Sequence, residues 1–255
     1  LEAQELQKIK ETIYKNGIYI PEIETVKEKI NLSSEIKFRI LTENSHEAIE
    51  NQISLAEKNM LDITLINELR QKRDQMEQLK QHALIFSFKK MLNEKDLKKI
   101  YTLLYQAKSS HVEFSEKGNL LNILKSFTWF TKLLGFLKGQ NVSEKVDISN
   151  VFKLNITEDI AFCFQPETQK SVLSADADSF YYFTSIIREG EQLVHPDIRL
   201  KELYKVYAKI LWSTQVKKLR ESTHGIDPAA LIKLHEQASQ LSVEKYDESY
   251  GWLEK

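Results

Sequence analysis

The chain has 255 residues, and its 36 basic and 37 acidic side chains give a formal net charge of −1. Because the two signs are interspersed, this balance argues against a general grip on nucleic-acid phosphates. Only seven Gly and four Pro interrupt the chain, which favours long helices over loops or disorder. The single cysteine, Cys163, excludes an intramolecular disulfide or a multi-cysteine zinc site and suits a reducing compartment.

The N-terminal end has no targeting signal that we recognise. It reads Leu1-Glu-Ala-Gln-Glu, without Met and without the basic-then-apolar order of a signal peptide. No stretch of the sequence approaches the ~18 consecutive apolar residues of a membrane span. We therefore expect a piece of a longer protein of the cytosol or the nucleus.

The first helix is predicted over residues 2–15, and Asn16-Gly17 ends it because both residues tolerate the left-handed conformation. Pro21 suits the first turn of the next helix. From there to Gly118 the chain has neither Pro nor Gly, and apolar residues recur at intervals of three and four. This pattern predicts a long coiled-coil-like antiparallel pair between about Ile23 and Leu92.

Turn signals divide the rest of the chain. A break near residues 59–64, where Asp62 caps a new helix, is followed by a helix from Asn93 and Asp96 to about Lys108. A polar stretch over 139–145 predicts a boundary between an N-terminal lobe, residues 1–140, and a C-terminal lobe, residues 141–255. The chain is thus predicted to fold into two helical lobes.

The segment 150–175 is ambiguous, because Ile160, Phe162 and Phe164 alternate like a strand. We interpret it as helix, broken at Gln165-Pro166. Further helices are predicted over 176–188, from Pro196 to about 221, and from Asp227-Pro228 onward, with 189–195 as a loop.

A spacing recurs along the chain, in which a loop with Gly or Pro opens a helix with apolar residues at five fixed offsets. Its copies are Ile23, Val26, Ile30, Leu32, Ile36; Leu120, Ile123, Phe127, Trp129, Leu133; and Leu203, Val206, Ile210, Trp212, Val216. Each unit of such a repeat can bury its row of apolar residues only against the neighbouring units. It predicts an all-α, elongated array of helical hairpins with Trp129 and Trp212 in the core.

Two triplets of the form His-x-acid, His111-Val-Glu113 and His195-Pro-Asp197, have the residue types of a non-haem iron site. Both precede predicted helices, where acids serve as caps, and no sheet is predicted to carry them. The second triplet also matches the J-domain cochaperone tripeptide, but its surroundings are mixed in charge.

Other catalytic patterns are missing from the sequence. There is no Gly-x-Ser-x-Gly elbow or glycine-rich phosphate loop, and Cys163 lies among apolar residues, where a thiol is unreactive. We therefore predict no catalytic residue, no metal, no cofactor and no small-molecule substrate.

Two basic clusters and one aromatic run are the candidate interaction residues. We single out Arg70, Lys72, Arg73, Lys217, Lys218, Arg220, Tyr181 and Tyr182. Either basic cluster is typical of a solvated helix face and also of a phosphate contact. Consecutive aromatics surround a helix, so Phe180–Phe183 contribute to the core or to a surface that faces a partner.

Two segments carry a resemblance to a known family: Lys15-Asn-Gly-Ile-Tyr-Ile-Pro-Glu-Ile-Glu-Thr-Val and Arg188-Glu-Gly-Glu-Gln-Leu-Val-His-Pro-Asp-Ile. With Ala208-Lys-Ile-Leu-Trp212, they resemble the PLU-type helical region of the JmjC and ARID-containing histone lysine demethylases. The resemblance implies a nuclear, chromatin-associated protein, in which this non-catalytic region braces other domains or docks corepressor subunits such as a histone deacetylase complex. The composition would suit a fungal member.

The sequence therefore predicts a helical scaffold and protein-interaction module of a larger chromatin regulator. The competing hypothesis is a nucleic-acid-binding helical module that uses the basic helix faces.

Overall fold

The computed structural model describes residues 8–9, 11–13, 15–16, 21–42, 45–140, 146–221, 227–243 and 248–253. Within these residues all regular structure is helical, which confirms the all-α prediction. The helices are α1 Pro21–Thr42, α2 His46–Lys58, α3 Ile63–Ser87, α4 Glu94–Ser109, α5 Lys117–Leu137, α6 Ile148–Val151, α7 Ile156–Cys163, α8 Pro166–Leu173, α9 Ala177–Glu191, α10 Ile198–Arg220, α11 Pro228–Gln240 and α12 Glu248–Leu253.

The predicted first helix is described in part: residues 8–9, 11–13 and 15 are helical, and Asn16 lies in a turn. The rest of that helix lies outside the described residues. None of the described helices is both long and apolar enough to cross a membrane. The predicted elongated array of hairpins stays a prediction.

The chain divides into two compact units. One contains residues 1–84 and 102–117, and the other contains residues 85–101 and 118–255. This division differs from the expected lobes, 1–140 and 141–255, because α5 belongs with the later helices. Its Trp129 donates a hydrogen bond to the carbonyl oxygen of Ile186 in α9. Whether the expected lobes fold independently stays a prediction.

Where the sequence predicts a long pair of helices between about Ile23 and Leu92, the structure has three, α1, α2 and α3. α2 and α3 run antiparallel, since Arg70 reaches back to Glu57 and Arg73 reaches Glu50. The break between them is confirmed: Asp62 accepts a hydrogen bond of 2.8 Å from the backbone N–H of Thr64. A second break separates α1 from α2. There the hydroxyl of Ser45 accepts from the N–H of Ala48, an N-cap that the periodicity does not reveal.

In the second unit, α10 is the central helix and contacts α7, α8, α9, α11 and α12. The predicted cap of α11, Asp227, is confirmed, and so is the acid of the second triplet: Asp197 accepts from the N–H of Arg199, although α10 begins at Ile198 and not at the predicted Pro196. Asp176, the predicted start of α9, is the N-cap of that helix. Most of the segment 150–175 is helical, with the predicted break before Pro166 and a further break over residues 152–155, between α6 and α7, that was not predicted.

The repeat residues differ in burial from copy to copy. All five residues of the α5 copy are buried, as are Leu203, Trp212 and Val216 of the α10 copy. In the α1 copy the burial of Ile23 lies outside what the structure describes; of the other four residues Ile36 alone is fully buried, and Val26 is exposed. Trp129 and Trp212 are therefore core residues, as predicted, and the first copy is the least regular.

Candidate interaction surfaces

The basic cluster of α3 is engaged within its own unit. The Arg70 guanidinium bonds Glu57 at 2.6 Å, and Arg73 bonds Asp74 at 2.9 Å and Glu50 at 3.5 Å. The ammonium group of Lys72 donates to the carbonyl oxygen of Ile40 at the end of α1. These three side chains hold α1, α2 and α3 together, so they have internal partners that a ligand would have to replace.

The basic cluster at the end of α10 meets the aromatic run of α9. The Nζ atom of Lys218 lies 3.7 Å from the centroid of the Phe180 ring, a cation–π contact. Lys217 approaches Glu221 at 4.0 Å, and both side chains are largely exposed. Tertiary structure thus joins two motifs that lie almost forty residues apart. We name Phe180, Tyr181, Lys217, Lys218 and Arg220 the α9–α10 surface.

The aromatic run divides as expected for a helix. Phe183 is buried and meets the Tyr207 ring edge-on, with 6.1 Å between ring centroids. Tyr182 is partly buried beside Phe136. Tyr181 is 79% exposed. Of the two tyrosines that the sequence singles out, Tyr181 is therefore the one presented to solvent.

A third surface was not predicted. The loop between α3 and α4, residues 88–93, exposes Phe88 by 77% and Met91 by 55% while it buries Leu92. The N–H of Ile198, itself 50% exposed, donates to the carbonyl oxygen of Lys90 at 3.0 Å. Three exposed apolar residues from two segments of the chain thus lie within two positions of one backbone contact. With Lys90 and Lys95 we name them the loop surface.

Asp197 holds this loop in place. Its carboxylate is fully buried; one oxygen accepts from the N–H of Leu92 at 2.8 Å, and the other from the N–H of Arg199 at 3.0 Å. The Arg199 guanidinium bonds the same carboxylate and donates to the carbonyl oxygen of Leu92 at 2.6 Å. The sequence identifies Asp197 as a cap, but its second partner lies more than a hundred residues away.

The His-x-acid triplets have structural roles. His195 Nε2 lies 3.0 Å from the carbonyl oxygen of Gly190, and the ring packs on Trp129 and Tyr204. Burial lowers the pKa of His195. Asp197 is the cap described above, and Glu113 pairs with Lys117 at 2.7 Å. Among the described residues, no group of three or more His, Cys, Asp or Glu side chains could hold a metal ion.

Cys163 and Tyr207 also serve packing. The phenolic O–H of Tyr207 donates to the carbonyl oxygen of Cys163 at 2.8 Å, which joins α10 to the end of α7. Burial raises the pKa of the Cys163 thiol to about 12, with a smaller contribution from the charge of Asp159. The thiol is thus protonated at neutral pH and is a poor nucleophile.

An open groove of about 520 Å³ lies in the first unit, between the start of α2, the middle of α3 and the segment after α4. Its lining mixes Glu47, Glu77 and Glu113 with Lys80 and His46. The charges face open solvent, where ion pairs are screened. We assign it no ligand.

Comparison with known proteins identifies no relative: no family model, no curated protein and no solved structure matches the chain.

Proposed function

We propose that the chain is a non-catalytic helical scaffold and protein-interaction module. The observation that carries the proposal is the α9–α10 surface, where an exposed tyrosine and exposed cations lie on two packed helices. The buried contact between Phe183 and Tyr207 fixes these helices. Tyr and Arg are enriched among the central anchors of protein interfaces, and this surface presents Tyr181 and Arg220 on rigid helices.

The roles of the buried polar groups agree with a scaffold. Trp129, Trp212 and Tyr207 each donate a hydrogen bond to a main-chain carbonyl oxygen of another helix. Asp197 binds a loop to a helix. Buried polar groups that are satisfied in this way define one arrangement of the helices.

The resemblance to the PLU-type region supplies the biological part of the proposal. The module belongs to a nuclear chromatin regulator and either docks subunits of a corepressor complex with a histone deacetylase or braces neighbouring domains. The competing proposal, a nucleic-acid-binding module, loses support from α3, because Arg70, Lys72 and Arg73 are engaged internally. Only the cluster at the end of α10 remains for it.

The test is affinity purification of the full-length parent protein from the cells that express it, read by mass spectrometry. Wild type is compared with a triple variant of the α9–α10 surface, Tyr181→Ser, Lys217→Glu and Lys218→Glu. We expect the variant to lose protein subunits, histone deacetylase subunits among them, at least about tenfold, as for the loss of interface anchors. A double variant, Tyr105→Ser with Lys201→Glu, is the matched control at exposed positions outside the surface.

Unchanged recovery of every protein in the triple variant would contradict this use of the surface. A gel shift with duplex DNA over a salt series distinguishes the nucleic-acid-binding module from the protein-interaction module. Micromolar binding that weakens steeply with salt and is lost in the triple variant would establish phosphate recognition instead.

A further inference from the structure

We propose that the loop surface, formed by Phe88, Lys90, Met91, Lys95 and Ile198, binds an acidic segment of a partner protein whose apolar side chains seat on Phe88, Met91 and Ile198. The inference rests on the proposed function and adds a second surface with a partner of stated chemistry.

The loop is held rigidly in the free protein. Its main chain makes three hydrogen bonds to the start of α10: the carbonyl oxygen of Lys90 accepts from Ile198, and Leu92 bonds both Asp197 and Arg199. At its far end the Asp96 carboxylate accepts from the N–H of Asn93 at 2.9 Å and binds the Lys89 ammonium group at 2.7 Å. The loop itself therefore loses little conformational entropy when a partner binds.

The rigid loop presents apolar side chains outward. Leu92 is buried, yet Phe88 and Met91 remain mostly exposed, and Ile198 beside them is half exposed. Exposure of these side chains leaves apolar surface in water that burial against a partner would remove. Contiguous exposed apolar groups with a polar rim mark interaction sites, and Phe and Met are enriched at interfaces.

The two exposed charged side chains of the loop surface, Lys90 and Lys95, are both positive. Neither has an ion-pair or hydrogen-bond partner for its side chain among the described residues. Lys95 lies in the first turn of α4, where the helix dipole disfavours a cation. The acids of that turn are engaged, because Glu94 accepts from the N–H of Ile156 and Asp96 binds the loop. The complementary partner surface is negative.

The apolar centre decides the class of partner. A phosphate backbone would pair with the lysines but would gain nothing from Met91 or Ile198, and nucleic-acid surfaces rely on clustered cations and stacked aromatics. An acidic peptide with apolar residues on one face satisfies both features, as an amphipathic helix does in a groove.

The experiment is selection of phage-displayed random peptides on the full chain, with counter-selection on a Phe88→Ser, Met91→Ser variant. We expect the enriched sequences to be acidic, with aliphatic or aromatic residues three or four positions apart. A synthesised representative should bind the Phe88→Ser, Met91→Ser variant at least about tenfold more weakly, and a Lys90→Glu, Lys95→Glu variant also about tenfold more weakly.

A Tyr105→Ser, Lys108→Glu variant, changed at exposed positions near the end of α4, is the matched control and should bind like wild type. We expect all variants to fold, because every changed side chain is exposed. Circular dichroism is the measurement that checks this. No enrichment, or enrichment of neutral or basic peptides, overturns the proposal. Binding of duplex DNA or phosphatidylserine vesicles that is lost in both loop variants also overturns it and assigns the surface to that class.

The two proposals fail separately. If the loop variants have no effect and the Tyr181, Lys217 and Lys218 variant still loses its partners, the proposed function stands without this second surface. If the loop variants lose the acidic peptide while the α9–α10 variant keeps every partner, the loop surface alone carries the interaction.

Discussion

Two tryptophans at the same position of the sequence repeat make the same hydrogen bond in different surroundings. Trp129 donates its indole N–H to the carbonyl oxygen of Ile186, and Trp212 donates to that of Leu234, both at 2.8 Å. Four residues after each acceptor lies a buried small residue, Gly190 in α9 and Ala238 in α11. The shared bond indicates that the repeat reuses one way of joining two helices.

The small residues show how the packing around the two tryptophans differs. A Cβ on Gly190 would lie 2.6 Å from Nε1 of Trp129 and 3.0 Å from the Tyr204 ring. Ala238 has its methyl group inside the same buried cluster as Trp212. The α5–α9 contact therefore requires the absence of a side chain, whereas the α10–α11 contact accommodates one. A repeat can thus conserve a hydrogen bond while the packing around it changes.

Removal of either indole should have the largest effect. We expect Trp129→Ala and Trp212→Ala each to lower the free energy of unfolding by about 3–5 kcal/mol, because each leaves a large cavity. Trp129 should lie at the upper end, because its ring also packs on His195 and Tyr204. Urea denaturation measures both values, and a loss below about 1 kcal/mol in either variant would contradict the role in the core.

Substitution of Gly190 should have the next largest effect on stability. Gly190→Ala should destabilise the protein by about 1–3 kcal/mol, because the methyl group overpacks a buried ring. Gly118→Ala is the matched control, since Gly118 lies in α5 and a Cβ there would meet nothing within 4 Å. This control should stabilise the protein by up to about 1 kcal/mol. Equal changes in the midpoint of urea denaturation for the two variants would show that the close approach is unimportant.

A double variant tests whether the ring and the glycine act together. A new Cβ would meet Nε1 and Cε2 of the Trp129 indole and Cδ2 of the Tyr204 ring, and Trp129→Ala removes the contacts with the indole. The double variant Trp129→Ala, Gly190→Ala should therefore be more stable than the sum of the single changes predicts, by about 1 kcal/mol. A double-mutant cycle in urea measures this coupling, and additive losses would count against the steric explanation. Trp212→Ala with Gly190→Ala should be additive.

The smallest effect is a dependence of stability on pH. It concerns the packing around Trp129, where the His195 ring lies. Burial lowers the pKa of His195, so the folded state binds fewer protons than the unfolded state, where the pKa is about 6.5. Stability should therefore fall as the pH decreases below about 6.5 and should level off below the folded pKa. Unfolding free energies across this range should show a weaker decrease for His195→Gln than for wild type. An equal decrease in both would exclude His195 as the cause.

Local chemistry made most helix boundaries predictable. The sequence predicts Asp62 and Asp227 as caps, Asp176 as the start of a helix and Asp197 as a capping acid beside one, and each carboxylate accepts from an N–H of the first turn. Such caps act within three residues of the chain, so their signal is local. The weaker cap at Ser45 has no glycine or proline beside it, and the break before α2 was missed.

The prediction for the end of α9, around Gly190, was wrong. The sequence predicted a helix to Arg188 and a loop over 189–195, because glycine often ends helices. The helix continues through Gly190 to Glu191. Trp129, about sixty residues away, requires glycine there, and nothing in the local pattern indicates that requirement.

The candidate surfaces also depend on tertiary contacts that the local sequence does not indicate. From the sequence alone the clusters of α3 and α10 were equivalent, since both are short basic runs flanked by acids. Folding pairs the α3 cluster with α1 and α2, and it places the α10 cluster beside Phe180 on an exposed face. The loop surface gave no signal, because Phe88 and Met91 are ordinary apolar residues until burial is known.

The sequence by itself determined the all-α class, the capped starts of the helices and the place of both tryptophans in the core, because caps and apolar spacing act within a few turns of one helix. Only the tertiary structure decided that Gly190 lies inside a helix, that Asp197 fixes a loop more than a hundred residues away, and which cations bond to neighbouring helices. Those outcomes depend on close approach and on partners distant in the chain, which local propensity does not encode.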